Sequence, residues 1–221
     1  MSNTTPQIIA ENAHFIVLFK PQGVSVHNQS PSLLEFVKEQ KKPEHFVNRL
    51  DFETSGLVVV ALNENLHEPL QNSLHKGVKK YRALLRGAMS IDVGMKVTWN
   101  WPISDKAEGR RNPQGDKSNL KAADTEVTLV RKNKYFSEVE IVLKSGRQHQ
   151  IRKHSALAKH PIVGDNRYNE DKYNSKIADM YKETRMQLEA ESLDFQFKNE
   201  KYSFKCNTLE LDKYFSDSLK A

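Results

Sequence analysis

The sequence predicts an α+β fold with a central, largely antiparallel mixed sheet flanked by helices and loops. Three observations carry that prediction. Strand-like runs far outnumber helical ones. Successive strands follow one another as hairpins more often than through βαβ crossovers. The 221 residues have aromatic and β-branched side chains spread throughout, enough for one large domain or two small lobes sharing a core.

The elements follow in order. His14 to Lys20 reads as a short strand, and Pro21-Gln22-Gly23 as a turn. Ser32 caps a helix through Gln40, with Glu35 placed for a capping box. A strand near His45 to Val47 leads into a loop from Asn48 to Gly56. Leu57 to Leu62 is an apolar, valine-rich run, expected as a strand buried on both faces. Asn63 caps the next helix, which ends near Gly77 as its C′ residue. Val78 to Arg86 alternates as a strand.

Ser104 to Ala122 holds Gly109, Pro113 and Gly115 among charged residues and reads as a long loop or hairpin tip, either a binding element or a solvated excursion. Thr125 to Arg131 and Phe136 to Leu143 form a strand pair around Lys132-Asn133-Lys134. Gln148 to Lys159 reads as a helix ended by His160-Pro161. Ile162 to Tyr168 is a loop centred on Gly164-Asp165, and Asn169 to Lys176 is polar and expected to be exposed. Met186 to Phe197 and Lys201 to Cys206 make a terminal strand pair, followed by a short helix after Thr208.

Composition narrows the function classes. Lys and Arg number 34 against 28 acids, a formal charge of +6. Such an excess permits a polyanionic partner without requiring one, so its distribution matters more. Lys76, Lys79, Lys80, Arg82 and Arg86 fall close together, as do Arg147, Arg152, Lys153 and His154. The single cysteine, Cys206, can make no internal disulfide and no zinc spacing exists, so no metal is expected. Met1 to Ile9 is polar, unlike a signal peptide, and no apolar run is long enough to span a bilayer. The expectation is a reduced, cytoplasmic protein, a monomer with no membrane association and no obligate protein partner.

Three clusters carry candidate chemistry. In Asn48-Arg49-Leu50-Asp51-Phe52-Glu53-Thr54-Ser55-Gly56, Asp51 is on spacing alone a turn carboxylate or a partner of Arg49. It becomes catalytic only if another arginine holds it ionised in a dry site. Ser145 to His154 supplies such an arginine, where a strand end passes through Gly146 into a helix. Helical spacing puts Gln148, Ile151 and Arg152 on one face and His149 and Lys153 on another. A merely cationic, solvated helix is the competing reading. In Lys79-Lys80-Tyr81-Arg82-Ala83, Tyr81 is either a base-stacking aromatic or a packing residue.

Together these segments resemble one family, the RluA-like pseudouridine synthases of ribosomal and transfer RNA. The family pattern His-Arg-Leu-Asp, two variable residues, then Thr-Ser-Gly-Leu is matched by Asn48 to Leu57. Its Lys-x-Tyr-x-Ala strand is matched by Lys79 to Ala83, and its Gly-Arg-Thr-His-Gln-Ile-Arg segment by Gly146 to Arg152. Its His-Pro-Ile-x-Gly-Asp-x-x-Tyr run is matched by His160 to Tyr168, and its Lys-Pro-x-Gly turn by Lys20 to Gly23. The resemblance runs from about His14 to Phe197. Asn48 stands at the usual histidine position and Gln148 at a threonine position.

The resemblance implies the pseudouridine-synthase catalytic fold. It also implies a single catalytic domain over residues 1–221, family-like from about 12 to 200, with no S4 domain expected ahead of it. The implied activity is isomerisation of uridine in structured RNA, in rRNA or tRNA, without cofactor. Asp51 is the implied nucleophile, either adding to an electrophilic carbon or taking a proton from the sugar. Arg152 pairs with Asp51, and Tyr81 stacks on a uridine flipped from its stem-loop. Arg49, Lys79, Lys80, Arg147, His149, Gln150 and Lys153 are the implied RNA contacts. Two other classes compete. A non-catalytic RNA-binding protein of the same fold has no use for a carboxylate facing a polyanion. A glycosidase or nuclease calls for a second acid, for which Glu53 is the candidate, or for an acidic metal cluster that is not evident.

Overall fold

The computed structural model describes residues 5–216. The chain divides into two compact units, one comprising Met1–Lys80 and Glu189–Thr208, the other Tyr81–Leu188 and Leu209–Ala221. Ten strands and four α-helices lie among the described residues.

In the first unit, β1 (Gln7–Glu11) pairs antiparallel with β2 (Phe15–Lys20), and β2 with β4 (Ser55–Ala61). The short β3 (His45–Phe46) also pairs with β4. β9 (Leu188–Phe197) meets β4 in parallel through Ser55↔Glu189 and Gly56↔Ala190. Further along, β9 pairs antiparallel with β10 (Glu200–Lys205), so the pairing is mixed. All seven residues of β4 are buried, as its continuous apolar run predicts. One of its faces packs with Phe15, Val17 and Phe195, the other with Ile16, Leu18 and Leu33. Helix α1 (Leu33–Glu39) has the expected capping box. Ser32 Oγ accepts from Glu35 N at 3.1 Å, and Glu35 Oε2 accepts from Ser32 N at 2.9 Å.

Helix α2 (Glu64–Lys76) starts at Asn63 as expected, although that side chain makes no capping hydrogen bond. Its C-terminal residue needs a correction. Gly77 is not a left-handed C′ residue, because its backbone is extended (φ −76°, ψ 179°). Its glycine answers to close approach instead, since a Cβ there would lie 2.4 Å from the Asp194 carbonyl oxygen. Cys206 donates to the Ala190 carbonyl at 3.5 Å, and burial pushes its thiol pKa up, which suits an inert thiol.

β5 (Val78–Arg86) begins in the first unit and runs through the second. There the strand order is β5-β8-β7-β6, with β6 (Lys96–Trp99), β7 (Thr125–Lys132) and β8 (Phe136–Leu143) joined by antiparallel pairing. Ala83, Leu85, Val127, Val139 and Ile141 form its main core, on which Ile151 of helix α3 (Gln150–Leu157) packs. Residues 104–122 are a long loop with one 3₁₀ turn at Lys117–Asn119.

Three expectations about this unit are corrected. The helix expected from Gln148 starts only at Gln150, because His149 takes a left-handed conformation (φ 54°, ψ 27°) at the N-cap. Gln148 and His149 therefore do not share helical faces with Arg152 and Lys153. The polar stretch from Asn169 is not simply exposed, since Asn169 is buried and α4 (Asp171–Tyr181) follows it. Tyr173, Ile177 and Tyr181 on α4 pack with Leu84, Phe136 and Tyr214. Of the helix expected after Thr208, the described residues show a single 3₁₀ turn, Asp212–Tyr214, and residues 217–221 lie outside the described residues. No helix of the described residues is long and apolar enough to cross a membrane.

Candidate active site

Asp51 sits half-buried in the loop between β3 and β4. The loop is anchored along its length. Val47 N donates to Val59 O at 2.8 Å. Asn48 Oδ1 accepts from Val59 N at 2.8 Å and its Nδ2 donates to Leu57 O at 3.3 Å. Asn48, one of the two departures from the family pattern, therefore braces the loop against β4. Thr54 N donates to Asp51 O at 3.1 Å and closes a turn. Gly56 has φ +131°, and a Cβ on it would lie 2.4 Å from the Ala190 carbonyl oxygen, so only glycine lets β4 approach β9 here.

Lys20, expected only as the end of a strand and the start of the Lys-Pro-x-Gly turn, is a further residue of this site. It is fully buried at the end of β2. Its Nζ donates to the carbonyls of Pro21 (3.0 Å), Val24 (2.7 Å) and Phe52 (3.3 Å). Gly23 N donates to the same Phe52 oxygen at 2.9 Å. Burial pushes the Lys20 pKa down to about 7, while the charges of Asp51 and Glu53 oppose that fall. A buried amine thus lies under the loop that carries Asp51. The signal for it was Lys20 itself, a charged residue ending an apolar strand. Arg49 is exposed and Phe52 is well exposed, while Glu53 is half-buried. Lys79 and Lys80 are half-buried at the start of β5, and burial lowers the Lys79 pKa.

In the second unit, Tyr81 is half-buried against the core of Ala83 and Val127. Arg152 is 1% exposed and held by a two-pronged ion pair. Nε donates to Asp165 Oδ2 at 2.8 Å and Nη2 to Oδ1 at 3.0 Å. Its Cζ lies 5.4 Å from the centre of the Tyr168 ring, and its Nη1 lies 3.5 Å from His149 Nε2. His149 Nδ1 is 3.0 Å from the Tyr168 hydroxyl. Arg152, His149, Asp165 and Tyr168 thus form one cluster. Arg147 is half-buried, with Nη1 3.8 Å from Asp105.

Two expected RNA contacts are corrected by burial. Gln150 is buried, and it binds Ser145 Oγ, Arg147 N, Asp124 O and Thr125 Oγ1. Lys153 is fully buried, and its Nζ donates to Ser104 O (2.8 Å), Ser104 Oγ (3.2 Å) and Lys106 O (2.7 Å). Both side chains pin the 104–122 loop or the start of α3 and present no surface to a phosphate. Among the described residues, no group of three His, Cys, Asp or Glu side chains could hold a metal ion.

Residues 14–157, which include Asp51, Tyr81 and Arg152, match the family model described as RNA pseudouridylate synthase. The chain belongs to this family. A tRNA pseudouridine synthase C of Yersinia pestis is 30% identical over 205 residues, covering 85% of this chain and 79% of that protein. A ribosomal large subunit pseudouridine synthase C of Buchnera aphidicola is 31% identical, covering 96% of this chain and 69% of its own length. In fold, the chain is similar to Human RNA Pseudouridylate Synthase Domain Containing 1, with a TM-score of 0.75 and 23% identity over 92% of this chain and 84% of that one. The protein is an RNA pseudouridine synthase, an isomerase. Neither the non-catalytic reading nor the glycosidase or nuclease reading is favoured by these relatives.

Proposed function

We propose that Asp51 is the nucleophile of the isomerisation, that Arg152 pairs with it and orients it, and that Tyr81 stacks on the flipped uridine. The observation that carries this reading is the support under Asp51. Its loop is fixed by the half-buried Asn48 and the buried Lys20, two polar side chains that a solvated turn does not need to commit. The reaction breaks N1–C1′, rotates the uracil and forms C5–C1′. N1 gains a proton and C5 loses one, so the step balances with no oxidant, metal or cofactor. Asp51 forms the transient covalent bond or takes the sugar proton, and Tyr81 assists the proton leaving C5.

The substrate is a stem-loop of rRNA or tRNA whose target base leaves its stack, in keeping with relatives named for both RNAs. Arg49, Lys79, Lys80, Arg147 and His149 meet its backbone. The protein works as a monomer in the cytoplasm, within one catalytic domain. Bulk RNA carrying 5-tritiated uridine, taken from cells lacking the protein, tests the reading. Wild type releases tritium as pseudouridine forms, and Asp51→Asn does not.

A further inference from the structure

We propose that Asp165 is a positioning residue for the isomerisation, acting through Arg152. This rests on the reading that Arg152 orients Asp51.

Asp165 is 1% exposed, and its carboxylate is fully engaged. Besides the two bonds from Arg152, Oδ1 accepts from the backbone N of Arg167 at 2.9 Å and of Tyr168 at 3.0 Å. The loop that delivers it is built for closeness. Asn174 of α4 accepts from Gly164 N at 3.1 Å and donates to Asp165 O at 3.0 Å. Gly164 has φ +79°, and a Cβ there would lie 2.3 Å from the Arg185 carbonyl oxygen. A side chain at 164 would therefore push Asp165 away from α3.

A buried ion pair adds little stability over an apolar pair of the same volume, so burial of this one calls for another benefit. The fork supplies it. Two parallel bonds fix the plane of the guanidinium as well as its position, which a single contact does not. Tyr168 and His149 stand at other sides of the same group. With Nε and Nη2 committed to Asp165, the direction of Nη1 is set.

The test compares Asp165→Asn, Arg152→Ala and the double variant of the full chain. Single-turnover rates are measured on bulk RNA carrying 5-tritiated uridine, and RNA affinity by filter binding. Asparagine keeps the volume but turns an NH₂ towards the guanidinium. The expected result is a rate about 10- to 100-fold slower at unchanged RNA affinity. The double variant should be no slower than Arg152→Ala alone, because Asp165 has nothing left to position. A normal rate for Asp165→Asn beside a slow Arg152→Ala overturns the proposal and leaves the Arg152 reading standing. A normal rate for Arg152→Ala overturns that reading itself. Multiplying effects in the double variant, or joint loss of rate and RNA affinity in Asp165→Asn, also overturn the proposal. If Asp165→Asn does not fold, Asp165→Glu takes its place. It keeps the charge but shifts the fork by one methylene, and a wild-type rate in it would likewise overturn the proposal.

Discussion

Lys20 Nζ lies 3.3 Å from the carbonyl oxygen of Phe52, 32 residues further along the chain and adjacent to Asp51. The bond ties the end of β2 to the loop that carries the proposed nucleophile. It also places a buried amine near two carboxylates, Asp51 and Glu53.

This arrangement predicts a pH dependence of stability. Burial lowers the folded-state pKa of Lys20 to about 7 from 10.5. Between those values the unfolded chain binds more protons, so this contribution to stability rises as pH rises from about 7 towards 10.5. Lys20→Met removes the contribution. Denaturant midpoints across that range should climb less steeply with pH in the variant than in wild type, and equal slopes would refute the assignment.

Arg152→Ala should lower the single-turnover rate on the order of 100-fold, because a misplaced carboxylate loses its attack geometry. Rapid-quench measurement at saturating RNA reads the effect directly. A near-normal rate would remove Arg152 from the site.

Lys153→Met should act on stability and leave RNA affinity alone. It strips a donor from the buried carbonyls of Ser104 and Lys106, at a cost of about 1–3 kcal/mol. Urea unfolding measures the cost, and filter binding checks the affinity. A clear fall in affinity in a stably folded variant would restore Lys153 as an RNA contact.

Gly56→Ala should destabilise the first unit by on the order of 3 kcal/mol, through a backbone clash with Ala190 and an unfavourable φ. A melting temperature within error of wild type would show that β4 and β9 separate freely here.

These features differ in how openly the sequence carries them. The capping box of Ser32 and Glu35 and the buried valine run of β4 are local patterns, and both stand where their residues put them. The edge strand β1 is mostly exposed, and β6 alternates over only the four residues Lys96–Trp99, too short a run to stand out, so both went unpredicted. Helix α4 was legible in principle, since Tyr173, Ile177 and Tyr181 recur every four residues, but its polar surroundings masked the stripe. At the site, Asp51 and Arg152 stood out only as motif members. The burial of Gln150 and Lys153 was not readable, because partners 25 to 49 residues away in sequence decide it. Nor was the role of Asn48, whose side chain works on the backbone of a neighbouring strand.

The most direct measurement is tritium release by Asp51→Asn. The substitution keeps the volume of the side chain and removes its charge and nucleophilicity. Tritium release from 5-tritiated uridine RNA should vanish while filter binding of the same RNA stays near the wild-type level. Tritium release at a rate comparable to wild type would contradict the assignment of Asp51 as the nucleophile.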